Sequence, residues 1–263
     1  MKTAKHYFWI FSNFYGRMFG RAWLAGAHHA LLNLSLHGLG YDNGLYPSYS
    51  GEEWFIKNIL KKEGMRICLD IGANVGSYSH LLLKHLNCKV YAMEPSLLTF
   101  TKLQKLSALY PHNFSPVQTA IADFDGSAQL FSRAPLLGTA TLQKSILDNP
   151  AIEEPVKVST VDTLVKQLAI TRVDFIKIDT EGFEREVLLG AQETLRVLKP
   201  KYIQFEFNLL HLRRGYTVFD LAQMLPEYEL YRLLPQGWLK VDPKSFLSNI
   251  FMLCNIVAKR KAE

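Results

Sequence analysis

Four acidic residues come at the carboxyl ends of short, apolar, strand-like segments and could together do acid–base chemistry. They are Asp70, Glu94, Asp179 and Glu206. The strands of an open α/β sheet point their carboxyl ends toward one crevice, where ligands bind. We therefore expect the four carboxylates to converge on one site, and such a negative crevice suits a positively charged ligand.

Asp70 opens a glycine-punctuated turn, residues 70–76 (D-I-G-A-N-V-G), directly after the apolar strand predicted at 67–70. Apolar residues recur at helical spacing from Tyr78 to Leu86, which predicts a helix after the turn. Strand, glycine turn and helix form the opening unit of a nucleotide-binding α/β domain. Glycines let the backbone approach a ligand closely, and the amides at a helix start favour an anionic group.

Two classes of cofactor use such a turn. The dinucleotide pattern G-x-G-x-x-G, aligned on Gly72, requires glycines where Asn74 and Ser77 stand, so it fails twice. The D-x-G-x-G-x-G turn of S-adenosylmethionine (SAM) methyltransferases fits with one exchange, at Asn74, and asparagine tolerates a positive φ. A glycine turn that holds neither cofactor is the alternative interpretation.

Glu94 lies about 20 residues past the glycine turn, where an acid accepts hydrogen bonds from ribose hydroxyls in such sites. The tip of the third predicted strand should lie near the adenine. The residues expected to bind the cofactor are Asp70, Gly72, Ala73, Asn74, Gly76, Ser77, Tyr78, Glu94, Pro95, Ala122 and Asp123.

Length and composition favour one α/β domain with an extension. The chain has 263 residues, 48% of them hydrophobic, which supports a full core. The net charge of +6 is scattered, so no nucleic-acid partner is expected. Cys68, Cys88 and Cys254 lie in or beside apolar stretches without C-x-x-C spacing, which predicts buried thiols. No window approaches the ~20 apolar residues of a transmembrane helix, and we expect a cytoplasmic protein.

Residues 1–50 form a separate N-terminal helical extension, and residues 51–263 form the main domain. The extension has helical patterns at about 4–15 and 18–36 and an aromatic face. That face could pack on the main domain, form a homodimer contact, act as a lid or touch a membrane surface.

The remaining elements follow from apolar patterns and turn residues. A loop is expected at 132–156, and a long turn between residues 234 and 250. Single helices are expected at 52–60, at 217–225 and from Val187 to Leu198. Further strands are expected at 90–94, 117–122, 128–131, 173–179, 202–207, 228–234 and 250–258.

Several of these segments resemble the FkbM family of SAM-dependent methyltransferases. They are residues 68–76, Met93-Glu94-Pro95, residues 161–164 (V-D-T-L) and residues 174–184 (D-F-I-K-I-D-T-E-G-F-E). The resemblance covers about residues 51–258. It implies the Rossmann-like class I methyltransferase fold, with a seven-stranded, mostly parallel sheet, helices on both faces and an antiparallel last strand. It also implies methyl transfer to a hydroxyl of a sugar, polysaccharide or natural product.

Methyl transfer from a sulfonium to a hydroxyl requires a base that takes the hydroxyl proton. Asp179, at the end of the central strand, is the expected base. Glu181 and Glu206 could be the base, orient it or share Mg²⁺ with it, Asp179 and Glu206 being the candidate metal ligands. His211 is an alternative base, or else a satisfied surface histidine. Glu181 could instead be an acid favoured by the dipole of the helix that follows.

Three other functions remain to be weighed. Residues 179–182 (D-T-E-G) lack the Asn/Asp-Pro-Pro-aromatic turn of nucleic-acid amino-methyltransferases, so methylation of a base is disfavoured. A carboxylate acceptor on a modified peptide or small acid needs no general base. A SAM-binding scaffold without catalysis would bind the cofactor and turn over no acceptor.

Overall fold

The computed structural model describes residues 2–44, 46–134, 140–147 and 149–262. The strands are, in chain order, β1 (Ile67–Ile71), β2 (Lys89–Met93), β3 (Phe114–Val117), β4 (Ala120–Ile121), β5 (Gly126–Ser132), β6 (Ile152–Ser159), β7 (Phe175–Ile178), β8 (Tyr202–Phe207), β9 (Tyr228–Leu234), β10 (Gly237–Lys240) and β11 (Cys254–Arg260).

The helices are α1 (Lys2–Phe19), α2 (Ala25–Gly38), α3 (Pro47–Ser50), α4 (Glu52–Phe55), α5 (Lys61–Glu63), α6 (Ser77–His85), α7 (Leu97–Leu109), α8 (Val161–Gln167), α9 (Glu184–Leu189), α10 (Gln192–Val197), α11 (Leu209–Arg214) and α12 (Val218–Gln223). A π turn, Ile56–Leu60, joins α4 to α5, so the helix predicted at 52–60 continues to Glu63.

The larger sheet has the order β10-β9-β11-β8-β7-β1-β2-β3. Strands β3, β2, β1, β7 and β8 are parallel, and β11 runs antiparallel to both of its neighbours. The two faces bury separate apolar clusters under helices. The arrangement confirms the expected class I fold and its antiparallel last strand.

The expectation of seven strands is wrong, because β10 adds an eighth strand at the edge. β10 falls in the long turn predicted between residues 234 and 250. Its four residues are too few to show the alternation of apolar and polar side chains that predicts a strand. Trp238 of β10 stacks on Tyr231 of β9, with ring centroids 4.6 Å apart. Aromatic packing across the hairpin therefore stabilises a strand that the residue pattern does not reveal.

The prediction of a single strand at 117–122 is also wrong. The main-sheet strand β3 ends at Val117, and the chain then turns, with the Thr119 amide donating to the Val117 carbonyl at 3.1 Å. Beyond the turn, β4 joins a second, three-stranded sheet in the order β4-β6-β5. Ala122 and Asp123 therefore follow a strand of the small sheet.

The predicted loop at 132–156 is wrong over its last part, because β6 begins at Ile152. Glu153, Glu154 and Pro155 hide the alternation expected of a strand. β4 pairs with β6 only at Val158 and Ser159, so Pro155 has no partner strand along the β4 edge of β6. Residues 135–139 and 148 of the predicted loop lie outside the described residues.

The helix predicted from Val187 to Leu198 is divided into α9 and α10. The division is at Gly190, where a β-carbon would lie 2.2 Å from the carbonyl oxygen of Ala122. This close contact holds the helices against the start of the small sheet. The last strand begins at Cys254 rather than at residue 250, and α11 was not predicted.

The three cysteines are free thiols and all are buried, as predicted. Burial raises the pKa of the Cys254 thiol to about 12, so this sulfur stays protonated at neutral pH. No helix within the described ranges is long and apolar enough to cross a membrane.

The second half of the N-terminal extension packs on the main domain. Tyr41 is fully buried, and the Arg232 guanidinium lies over its ring at 4.0 Å. At Gly40, whose φ is +86°, a β-carbon would lie 2.3 Å from the Leu233 carbonyl oxygen. The division at residue 50 stays a prediction, and any truncation that tests it must keep Tyr41.

Candidate active site

A pocket opens at the carboxyl ends of β1, β2 and β7, where the sequence predicts that the acids converge. Its empty volume, which includes the open mouth, is about 1010 Å³. One wall belongs to the larger sheet, and the other to the small sheet and Ala140–Leu142. Six of the predicted site residues line it: Gly72, Asn74, Glu94, Pro95, Asp179 and Glu181.

The glycine turn and the acidic turn touch each other inside this pocket. Gly72 has a φ of +79°, and a β-carbon on it would lie 1.8 Å from the carbonyl oxygen of Asp179. The Asp179 amide in turn donates to the Ile71 carbonyl at 2.9 Å. Only glycine fits at position 72, and this fixes the backbone of Asp179 beside the predicted cofactor turn.

Glu94 fastens the glycine turn to the end of β2. Its Oε2 accepts from the Asn74 amide at 2.8 Å, and its Oε1 accepts from the Ser96 amide at 3.0 Å and Thr99 Oγ1 at 2.7 Å. Burial raises the pKa of Glu94 against these hydrogen bonds. A carboxylate has about four acceptor positions, so capacity for a ribose hydroxyl remains and the predicted role stays a prediction.

Two buried side-chain oxygens in the pocket wall have no partner among the described residues. They are Oδ1 of Asn74, a residue with a φ of +49°, and Oγ1 of Thr141. Since buried polar atoms are normally hydrogen-bonded, these two atoms indicate a polar ligand between the two sheets. Thr141 lies far along the chain from the glycine turn, and nothing in the sequence pattern marks it.

Other predicted cofactor residues support the turn from behind and do not line the pocket. Asp70 is buried and accepts from Ser79 Oγ at 2.6 Å, and burial raises the pKa of this carboxyl to about 6. The Ala73 amide donates to the Met93 carbonyl at 2.9 Å. The Tyr78 hydroxyl donates to Gln204 Oε1 at 2.6 Å.

Gly76, Ser77, Ala122 and Asp123 also lie outside the lining. Gly76 has a φ of +85° and packs on Leu103 of α7, where a β-carbon would lie 2.7 Å from Cδ2. Ser77 starts α6 and is exposed. Ala122 is buried and Asp123 exposed, and the chain lines the pocket with Thr119–Ile121 instead.

The acidic turn and the elements beside it bring four carboxylates around one buried lysine. Lys177 Nζ donates to Asp179 Oδ2 at 3.0 Å and lies 3.9 Å from Glu52 Oε1. Burial raises the pKa of Glu181 well above its usual range, and the charges of Asp179 and Glu206 raise it further. Burial, then the charge of Asp179, raises the pKa of Glu206 to about 8. Burial and the neighbouring negative charges therefore favour the protonated forms of Glu181 and Glu206.

The predicted Mg²⁺ site finds no support. Within the residues that the structure describes, no three or more His, Cys, Asp or Glu side chains are grouped to hold a metal ion. Lys177 already supplies a positive charge to Asp179, one of the two candidate ligands.

His211 is enclosed in the protein, so its interpretation as a surface histidine is wrong. It is fully buried, and its Nδ1 accepts from the Asn208 amide at 3.2 Å. Its Nε2 lies 3.0 Å from Glu184 Oε2, without hydrogen-bond alignment. Glu184 Oε1 accepts from the Thr180 amide at 2.9 Å, so His211 supports the acidic turn from behind.

We expect Glu206→Gln to stabilise the protein at alkaline pH. The folded-state pKa of about 8 lies above the ordinary carboxyl value, so Glu206 stabilises the fold fully at low pH and loses that contribution as pH rises through 8. Glutamine mimics the protonated form. At pH 9 the Tm of the variant should exceed that of the unsubstituted protein by at least about 3 °C, the shift that ~1 kcal/mol gives at this size.

Thermal melts from pH 5 to pH 9 measure this difference. Glu227→Gln, at an exposed glutamate, is the matched control and should leave the pH dependence of the Tm unchanged. Equal Tm differences at pH 5 and pH 9 for Glu206→Gln would contradict the assignment.

Comparison with known proteins identifies the family. The sequence profile of the FkbM methyltransferase domain matches residues 70–233. The chain is similar to the hexuronic acid methyltransferase AglP of Haloferax volcanii, with 25% identity over 181 residues that cover 68% of this chain and 70% of that protein.

Similarity to solved structures is weak. An O-methyltransferase from Bacillus cereus, in complex with SAH, has 11% identity, a TM-score of 0.47 and coverage of 94% of this chain and 96% of its own. Aeropyrum pernix fibrillarin with bound SAM has 12% identity, a TM-score of 0.41 and coverage of 78% and 72%. These scores carry no argument about function. The profile match, which spans the glycine turn and the acidic turn, shows that the chain belongs to the FkbM family of methyltransferases.

Proposed function

We propose that the protein is a SAM-dependent O-methyltransferase that acts on a hydroxyl of a sugar, polysaccharide or natural product. The contact between Gly72 and Asp179 carries the proposal, because it places a cofactor-type turn and a possible base in one pocket. The similarity to a hexuronic acid methyltransferase supports a saccharide acceptor.

The pocket fits SAM by the chemistry of its lining. Gly72 and Asp179 lie together in the lining, Glu94 offers a remaining acceptor position, and Asn74 and Thr141 offer unpartnered buried oxygens. These residues would hold the cofactor. When bound, SAM supplies an electrophilic methyl group.

Asp179 is the group that we expect to take the acceptor's proton. Its Oδ2 is occupied by Lys177, and Oδ1 remains for the acceptor hydroxyl. Burial raises the pKa of Glu181, which favours its protonated form and disfavours Glu181 as the base. Glu181 and Glu206 position Asp179 and set the charge around it. His211 acts on the acidic turn through Glu184.

A second candidate function is methylation of a carboxylate. A hexuronic acid carries hydroxyls and a carboxylate, and the name of the Haloferax relative does not say which oxygen receives the methyl group. A carboxylate acceptor is already ionised and would leave Asp179 without a proton to accept. The position of Asp179 in the pocket therefore favours a hydroxyl acceptor.

Incubation with isotopically labelled SAM and a panel of hexuronate and neutral hexose glycosides tests the proposal. We expect a methyl ether, which survives mild alkali, on at least one glycoside. A base-labile methyl ester would assign the carboxylate function instead. SAM binding without turnover on any member of the panel would favour the scaffold interpretation.

A further inference from the structure

The first helix of the chain is amphipathic and carries most of the exposed aromatic residues. At 100° per residue, one half of α1 contains only apolar and aromatic side chains from position 7 onward. The opposite half contains His6, Ser12, Asn13, Gly16 and Arg17, with Trp9 the one apolar residue among them. The residues of the apolar half are Tyr7, Phe8, Ile10, Phe11, Phe14, Tyr15, Met18 and Phe19.

This apolar half is open to solvent. Phe8 is 72% exposed, Phe11 is 62% exposed and Trp23, just beyond the helix, is 81% exposed. The main domain therefore does not cover it. Apolar patches of this kind mark an interaction surface in most proteins.

The second helix continues the surface and orients the first. His28 of α2 contacts the Phe19 carbonyl through Nε2 at 3.0 Å, and its ring meets Tyr15 at 5.7 Å. Leu31 and Leu34, farther along α2, are also exposed. At its far end Leu36 packs into the main core, so the helix pair is anchored to the catalytic domain.

The charge of residues 1–41 indicates what kind of partner this surface binds. Residues 1–41 contain Lys2, Lys5, Arg17 and Arg21 but no aspartate or glutamate. A second copy of the segment would bring like charges together with no acid of its own to pair them. An amphipathic helix with aromatic residues on one face and basic residues on the other suits the interface of an anionic bilayer.

We propose that the surface formed by α1 and α2 binds the face of an anionic lipid membrane. The aromatic rings enter the headgroup region, and the basic residues meet the lipid phosphates. The helices lie along the interface, since none of the described helices can span a bilayer. The main domain is thereby held at the membrane, because Leu36 anchors the helix pair to its core.

Co-sedimentation of the full chain with lipid vesicles tests this proposal. We expect binding to equimolar phosphatidylcholine and phosphatidylglycerol, and much weaker binding to phosphatidylcholine alone. Raising the salt concentration from about 0.01 to 0.15 M shortens the Debye length from ~30 to ~8 Å and should weaken binding to the anionic vesicles.

Phe8→Ser should weaken the vesicle partition roughly tenfold or more, because it removes a large apolar side chain from the interface. Phe246→Ser is the matched control, since Phe246 is 79% exposed on the main domain. It should leave the partition unchanged.

Three results would overturn the proposal. They are no binding to anionic vesicles, equal weakening by the two substitutions, or a solution dimer that Phe8→Ser dissociates. The dimer would assign the surface to a second copy of the chain. Vesicle binding requires no methyl transfer, so failure here is distinguishable from failure of the proposed function.

Discussion

Gly72→Ala should weaken SAM binding at least about 100-fold. The added methyl group would lie 1.8 Å from the Asp179 carbonyl oxygen, at a φ of +79° that alanine adopts only under strain. Relieving this strain and overpacking, ~1–3 kcal/mol each, requires the turn to move away from Asp179, and the displaced turn should bind SAM less well. Isothermal titration calorimetry with SAM and S-adenosylhomocysteine measures it, and NAD should give no binding heat with either protein.

Gly237→Ala provides the matched control, because no atom lies within 4 Å of a β-carbon built on Gly237. Its SAM affinity should equal that of the unsubstituted protein. Circular dichroism separates loss of the site from loss of the fold. A folded Gly72→Ala protein with normal SAM affinity would remove the glycine turn from the cofactor site.

Asp179→Asn should lower turnover by roughly 10²–10⁴, the usual contribution of a positioned base, while SAM still binds. Asparagine keeps the shape of the side chain but cannot take the proton of the acceptor hydroxyl. Initial rates on the glycoside that gives a methyl ether, together with SAM calorimetry, separate catalysis from cofactor binding.

Asp242→Asn, at an exposed acid in a turn, is the control and should retain full activity. Glu181→Gln mimics the protonated form that the raised pKa of Glu181 favours, so it should cost less activity than Asp179→Asn. Near-normal turnover of Asp179→Asn on a hydroxyl acceptor would refute Asp179 as the base. A larger loss for Glu181→Gln would transfer that role to Glu181.

The central sheet could be predicted because each strand is a short local signal. β1, β7 and β8 are apolar runs next to acids and turns, and their neighbours in the chain are helices with clear periodicity. The Gly72 turn could be predicted for the same reason. A pattern of this kind needs no information from distant parts of the chain.

The small sheet and much of the pocket wall could not be predicted, because they depend on contacts between distant segments. Thr141 lies opposite the glycine turn only because β5 and β6 pair across a long connection. Likewise, His211 lies between leucines and close to the Arg213-Arg214 pair in the sequence, a pattern that does not reveal its burial. In the fold it contacts Glu184, which lies on another element.

The sequence predicted the positions of the acidic residues in the cluster but not Lys177, the cation that lies among them. Lys177 lies inside an apolar strand, and the sequence gives no sign that it is buried between Glu52 and Asp179. Burial of Glu181 and Glu206 raises the pKa of both carboxyls, and the charge of Lys177 opposes that rise.

The pocket lies between two sheets, and in the described part of the chain no ladder of hydrogen bonds joins them. The chain passes from β3 in one sheet to β4 in the other through Gln118 and Thr119. Residues that hold the cofactor turn and the acids belong to the first sheet, and much of the facing wall belongs to the second. Substitutions on β5 or β6 can therefore reshape the wall without moving Gly72 or Asp179. Such a construction lets the shape of the pocket differ between related proteins while Gly72 and Asp179 keep their relative positions.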